Sequence, residues 1–153
     1  MNTEGQSQPE TISEAALSDA DIEREAAFLA DLPFFNWGAF FMPPIWGIAH
    51  GDWPCILFYP LWIFCDNLLY NAWQNPSVLS AVLAILVLVI ITAVMLAYAR
   101  LSVPRSAHRA AEHGDTLEHY LKVQRRWAIG MALMALVMLV LATWYNLTIR
   151  PYL

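Results

Sequence analysis

Charge is what this sequence has least of. Charged residues make up 14% of its 153 positions and apolar residues 59%, with a mean hydropathy of +0.47. Soluble domains run at about 25% charged and about 45–50% apolar, so an ordinary water-coated globule is excluded and lipid is implied as solvent for part of the chain. Cysteine is scarce too. Cys55 and Cys65 are the two present. Ten residues apart on one helix they point ~80° apart, and they lie well beyond the ~7 Å Cα separation a disulfide tolerates. That excludes a disulfide scaffold and leaves two small hydrophobes. The start MNTEGQSQPE lacks the basic n-region of a signal peptide, Asn2 is not Gly, and the end reads RPYL, so no leader or lipid attachment is expected. No nucleophile–base pair is visible. His108, Glu112, His113 and His119 form neither H-E-x-x-H nor H-x-x-E-H, with Arg105 and Arg109 beside them. They read as a solvated surface, and neither an enzyme nor a metal or other cofactor is expected.

What charge there is lies unevenly. Residues 1–32 hold eight acids against Arg24 alone, whereas Arg100, Arg105, Arg109, Lys122, Arg125 and Arg126 cluster in residues 100–126 against Glu112, Asp115 and Glu118. The formal net charge is −5, and the bases flank apolar runs, so nucleic acid is not an expected partner. Basic loops stay in the cytoplasm, which places residues 100–126 inside.

Two runs have the length of membrane spans. Val78 to Ala99 is uncharged over 22 residues and Trp127 to Leu147 over 21. As helices each matches a hydrocarbon core of ~30 Å. Trp127 and Trp144–Tyr145 stand where aromatic belts form. Residues 53–73, bracketed by Trp53 and Trp73, read as a third span, kinked near Pro60 and carrying one charge, Asp66. The span 78–99 then runs inward, and 53–73 and 127–147 run outward, with the C-terminus outside. Residues 1–17 read as a disordered acidic tail. Residues 18–32 read as an amphipathic helix capped by Ser18, its apolar face being Ile22, Ala26, Leu29 and Leu32. Within 100–126, a short helix is expected from Pro104 to Gly114, and a second one capped by Asp115 and Glu118 leads into the last span.

The stretch "PFFNWGAFFMPPIWGIAHGDW", Pro33 to Trp53, fits none of these. Pro43–Pro44 removes two N–H donors near its centre and cannot sit inside one continuous helix. Two half-helices are expected, Phe34–Met42 and Pro44–His50, with Pro44 at the first position of the second. Residues 33–52 then form an interfacial or re-entrant hairpin with Trp37, Trp46 and Trp53 at the membrane surface; a tilted, broken span is the alternative. A hairpin keeps the N-terminal tail cytoplasmic. The expected fold class is all-α, integral membrane, with three transmembrane helices plus this proline-broken element.

"FNWGAFFMPPIWGIAHG" and the later "EHYLKVQRRWAIG" resemble the signature of a family of small, uncharacterised bacterial multi-pass membrane proteins with an N-W-G-A-F…P-x-W-G-I pattern and a Q-R-x-W-A element. The resemblance covers about 30 residues and implies a multi-pass cell-membrane protein with no activity attached. It singles out Asn36, Trp37, Gly38, Ala39, Phe40, Pro44, Trp46, Gly47 and Ile48, with Gln124, Arg125, Trp127 and Ala128.

Outside that signature, Asp66 with Asn67 is the one intramembrane polar site in view. A carboxylate at mid-bilayer costs ~2.5–3.5 kcal/mol and normally faces a partner or water. The expectation is that Asp66 meets a polar group of another span near the outer interface. "GIAHG", Gly47 to Gly51, has G-x-x-x-G spacing, but at the end of a short segment it fits close packing better than dimerisation, and His50 reads as a membrane-edge residue. The expected role is a non-enzymatic membrane component that assembles with the lipid bilayer, with other membrane proteins or with itself. A transporter or channel accessory subunit using Asp66 is the alternative.

Overall fold

The structure, a computed structural model, describes residues 22, 23 and 26–152; the expected acidic tail and the Ser18 cap lie outside them. The described residues are helical, with no strand. The elements are α1 (Trp37–Phe41), α2 (Pro43–Ala49), a 3-10 turn (Trp53–Leu57), α3 (Phe58–Gln74), α4 (Val78–Glu112), α5 (Leu117–Thr148) and a final 3-10 turn (Arg150–Tyr152).

Two helices, α4 and α5, are long and apolar enough to cross a membrane, not the three expected. Residues 53–73 fall short in apolarity, because Asp66, Asn67 and Asn71 dilute the run, and in length, because of their prolines. In an α-helix the Pro60 ring would collide with the carbonyl four residues back, at Ile56. The chain therefore enters as a 3-10 turn, with Pro54 in its first positions, and the α-helix proper begins at Phe58. Pro60 then sits in the first turn, where a missing N–H has no cost, so the expected mid-helix kink is absent. What remains is 17 residues, ~25 Å of helix.

The basic segment is not a loop holding a separate short helix. Val78–Glu112 is one helix of 35 residues that passes through Pro104. Pro104 deprives the Arg100 carbonyl of its partner, and both residues lie on the exposed face. The helix ends in a Schellman motif: the Asp115 N–H donates to Ala110 O (3.0 Å), the Gly114 N–H donates to Ala111 O (2.9 Å), and Gly114 takes the left-handed conformation, φ +77°. Thr116, not Asp115, caps α5, its hydroxyl accepting the His119 N–H. At the other end of α4, Ser77 and Ser80 close a reciprocal capping box after the turn at Asn75–Pro76.

The proline-broken element forms the centre of the fold. α1 packs against both α4 and α5, wedged between the two long helices. Ala39, Met42 and Trp46 form the core with Ala99 of α4 and Met131 of α5. The expectation that Trp46 rides the membrane surface fails, since it is 2% exposed; of the three tryptophans in this element, Trp37 and Trp53 are exposed. A smaller cluster ties residues 26–32 to the far end of α4. Phe28 packs on Ala107 and edge-on to Tyr120 at 5.7 Å, flanked by Leu29 and Leu32. Of the expected apolar face, Ile22 and Ala26 are exposed, and the buried residue is Phe28, whose larger ring buries more apolar area.

Candidate functional site

Asn36 is the hinge pin of the signature. It caps α1, its Oδ1 accepting the Ala39 N–H at 3.1 Å. Because Oδ1 is committed, the side-chain amide must be the donor on the other side. Nδ2 donates to Gln124 Oε1 of α5 at 3.2 Å, and the Asn36 backbone N–H donates to Ala99 O of α4 at 3.3 Å. One buried residue thus ties α1, α4 and α5 together, and the two sequence motifs, 88 residues apart, meet here. Ala99 is fully buried; its short side chain is what lets the Asn36 backbone reach the carbonyl.

The glycines of the motif mark close approaches. A Cβ on Gly47 would stand 2.8 Å from Cys55 Cβ and 2.5 Å from the Tyr98 hydroxyl, and one on Gly38 would stand 2.8 Å from the Trp46 ring. Pro43 and Pro44 start α2 at its first two positions, one residue earlier than expected. His50 is held by its neighbours. Its ring stacks on Trp46 at 3.9 Å and meets Trp127 edge-on at 5.2 Å. Its Nδ1 lies 2.7 Å from Trp46 O, and since a carbonyl only accepts, Nδ1 carries the proton. Burial, aided by Arg109, pushes the His50 pKa below its ordinary value against the pull of that hydrogen bond.

Where the two motifs meet they leave a cavity of about 200 Å³. Phe35 and Trp37 form one wall, Val103 and Leu121 another, and Gln124 and Arg125 border it. Phe40 and Phe41 extend the aromatic wall, with Trp37 5–6 Å from its neighbours, at 4.8 Å from Phe35 and 6.0 Å from Phe41. Arg100 adds a cation over the Phe34 ring, 3.4 Å from its centre.

Asp66 lies elsewhere, at the other end of the long helices. It accepts from Asn146 Nδ2 at 2.6 Å and from the Arg150 guanidinium at 3.0 Å. Arg150 also donates to Asn146 Oδ1 at 2.9 Å and to Asn67 Oδ1, and stands 3.9 Å over the Tyr70 ring. The expected polar partner is therefore found in α5, at Asn146. Arg150 and Tyr70 escaped the sequence reading. The usable signal was that Arg150 is the one base beyond the last apolar run.

The histidines of the basic segment do not converge. His108 pairs with Glu112 at 3.3 Å, and His113 Nδ1 faces Arg109 O at 2.6 Å. Among the described residues no three His, Cys, Asp or Glu side chains come together. Arg105 reaches Asp52 at 3.7 Å, joining the end of the broken element to α4. No protein-family model, no curated protein and no solved structure matches the chain.

Proposed function

We propose that this is a small integral membrane protein of a bacterial cell membrane that acts without catalysis, as a component assembling with lipid and neighbouring membrane proteins. The observation that carries this reading is the exposure of the apolar helices. In their most apolar 18-residue windows only 11% of α4 and 6% of α5 is buried. A core helix of a soluble protein buries most of such a window, whereas lipid covers it at no cost. The side chains turned outward include Leu79, Ile85, Val89, Leu133, Val137 and Leu141, all more than half exposed, well beyond the apolar patch a soluble monomer leaves bare.

In this reading α4 and α5 cross the bilayer, and α3 lies alongside α4 in the same apolar zone. The basic extension, Arg100 to Arg126, stands in the cytoplasm, and the Asp66–Arg150 cluster stands near the outer surface. The family resemblance agrees with a multi-pass protein. Asp66 is held by Asn146 and Arg150, and in this reading it clamps α3 to the end of α5.

Membrane extraction tests the first half: the chain should stay in the pellet through alkaline carbonate and leave it with detergent. Single cysteines at Asp115 and Tyr152 test orientation. An impermeant thiol reagent on intact cells should label Tyr152→Cys and spare Asp115→Cys, and the reverse pattern would invert the topology. A cysteine at Ser7 that labels readily would place the tail outside. Crosslinked purification from native membranes tests assembly, and a monomer carrying a bound small molecule would overturn it.

A further inference from the structure

We propose that the cavity at the junction of the two motifs is a binding site for one anionic phospholipid, its phosphate at Arg125 and Gln124 and its glycerol and upper acyl region against Phe35, Trp37, Val103 and Leu121. This rests on the membrane reading above. Three observations carry it beyond that reading.

The first is position. Val103 lies just past Ala99, where the uncharged run of α4 ends. Gln124 and Arg125 lie just before Trp127, where that of α5 begins. The cavity therefore straddles the level at which the apolar zone gives way to the basic one, the level of lipid headgroups. Trp37, more than half exposed on its lip, is the residue type that settles there.

The second is donor geometry. The Ala39 N–H fixes Asn36 Oδ1, so Asn36 Nδ2 faces Gln124 and claims Oε1. That leaves Gln124 Nε2 as a donor at the cavity with no partner among the described residues. Arg125 is beside it, exposed and without an acid partner among the described residues. An amide N–H next to a guanidinium is a phosphate-binding pair.

The third is the contrast of linings. The residues around the cavity include one cation and no carboxylate, and the remainder is mostly apolar. A free inorganic anion would gain nothing from those walls. A lipid uses both parts.

The test is competitive lipid retention by the full chain in detergent micelles, read by native mass spectrometry with phosphatidylglycerol against phosphatidylcholine. A basic residue near a membrane surface is worth ~1 kcal/mol, so the anionic lipid should be retained about fivefold over the zwitterionic one. Arg125→Gln should abolish that preference. Arg126→Gln, which does not line the cavity, should keep it. Leu121→Trp, which fills the cavity, should lower retention of both lipids. Equal retention of the two lipids by the wild type, an undiminished preference in Arg125→Gln, or unchanged retention of both lipids in Leu121→Trp overturns the proposal. So does full displacement by excess inorganic phosphate, which would mark a free-anion site. If the chain fractionates with membranes yet shows no lipid preference, only the cavity assignment falls. If it stays dispersed in water without detergent, the membrane reading falls and the cavity assignment with it.

Discussion

Replacing Asn36 with alanine removes two interactions at once. The α1 cap is lost, since Ala has no oxygen for the Ala39 N–H; such caps are worth ~1 kcal/mol. The bond to Gln124 is also lost, at ~1 kcal/mol for a net hydrogen bond. The backbone bond to Ala99 O survives in principle, because it uses no side chain. The expected destabilisation is therefore ~2 kcal/mol, which lowers the melting temperature by about 4–8 °C for a chain of this size. Asn36→Ser keeps a capping oxygen but cannot span to α5, so it should lose about half as much. Gln124→Ala should also lose about half, and combining it with Asn36→Ala should cost ~1 kcal/mol less than the sum of the two single changes, the mark of a direct contact. The molecule supplies its own reporter. Cys55 and Cys65 are free and buried, so a fluorogenic maleimide reacts as the fold opens, and its melting curve can be followed in detergent. A shift under about 1 °C for Asn36→Ala, or strict additivity with Gln124→Ala, would refute the claim that Asn36 holds the motifs together.

Gly47→Ala should cost roughly 1–3 kcal/mol through overpacking, because the new methyl meets Cys55 and Tyr98; Gly130→Ala, with open space around it, should be neutral or stabilising by up to ~1 kcal/mol. Equal melting shifts for the two variants would mean that Gly47 is not a close-packing site. At the Asp66–Arg150 cluster, Arg150→Ala should destabilise more than Asp66→Asn, since Asn keeps one oxygen that can accept from Arg150, whereas losing the guanidinium takes a donor from Asp66, Asn67 and Asn146 together. Asp66 is partly exposed, so its change should cost under ~1 kcal/mol and less in high salt. If Asp66→Asn removes a cellular phenotype while the melting curve is unmoved, the carboxylate does more than clamp. His50 is held neutral in the fold, below its ordinary value of 6.5. The unfolded chain therefore binds the proton first, and stability is full above about pH 6.5 and falls as the pH drops toward the folded pKa. Melting curves across pH 5–8 should show this slope, flattened in His50→Gln; an unchanged slope in that variant would assign it to other groups.

Much of the architecture was legible because it is written in local rules. The two long apolar runs needed only length, and the break at Pro43–Pro44 follows from two missing donors. Gly114 ends α4 because a left-handed residue was needed there. Local rules misled at the other prolines. They predict a kink at Pro60, which instead stands in the first turn of a shorter helix, and a helix start at Pro104, which is passed through on an exposed face. Phe28 is not legible from spacing, which ranks positions on a helix without weighing what they pack against, here Ala107 and Tyr120.

The sequence by itself determined the class of structure: helical, with two segments long and apolar enough to cross a membrane. Side-chain period, proline geometry and uncharged length are properties of neighbouring residues, and they need no partner to act. Tertiary structure alone decided that the proline-broken stretch is the core and not a surface ornament, that Asn36 finds Gln124, and that Asp66 finds Arg150. Those pairings join residues 80 or more positions apart. They depend on how α1 wedges between α4 and α5 and on where the last turn places Arg150. No local preference of either partner encodes that distance.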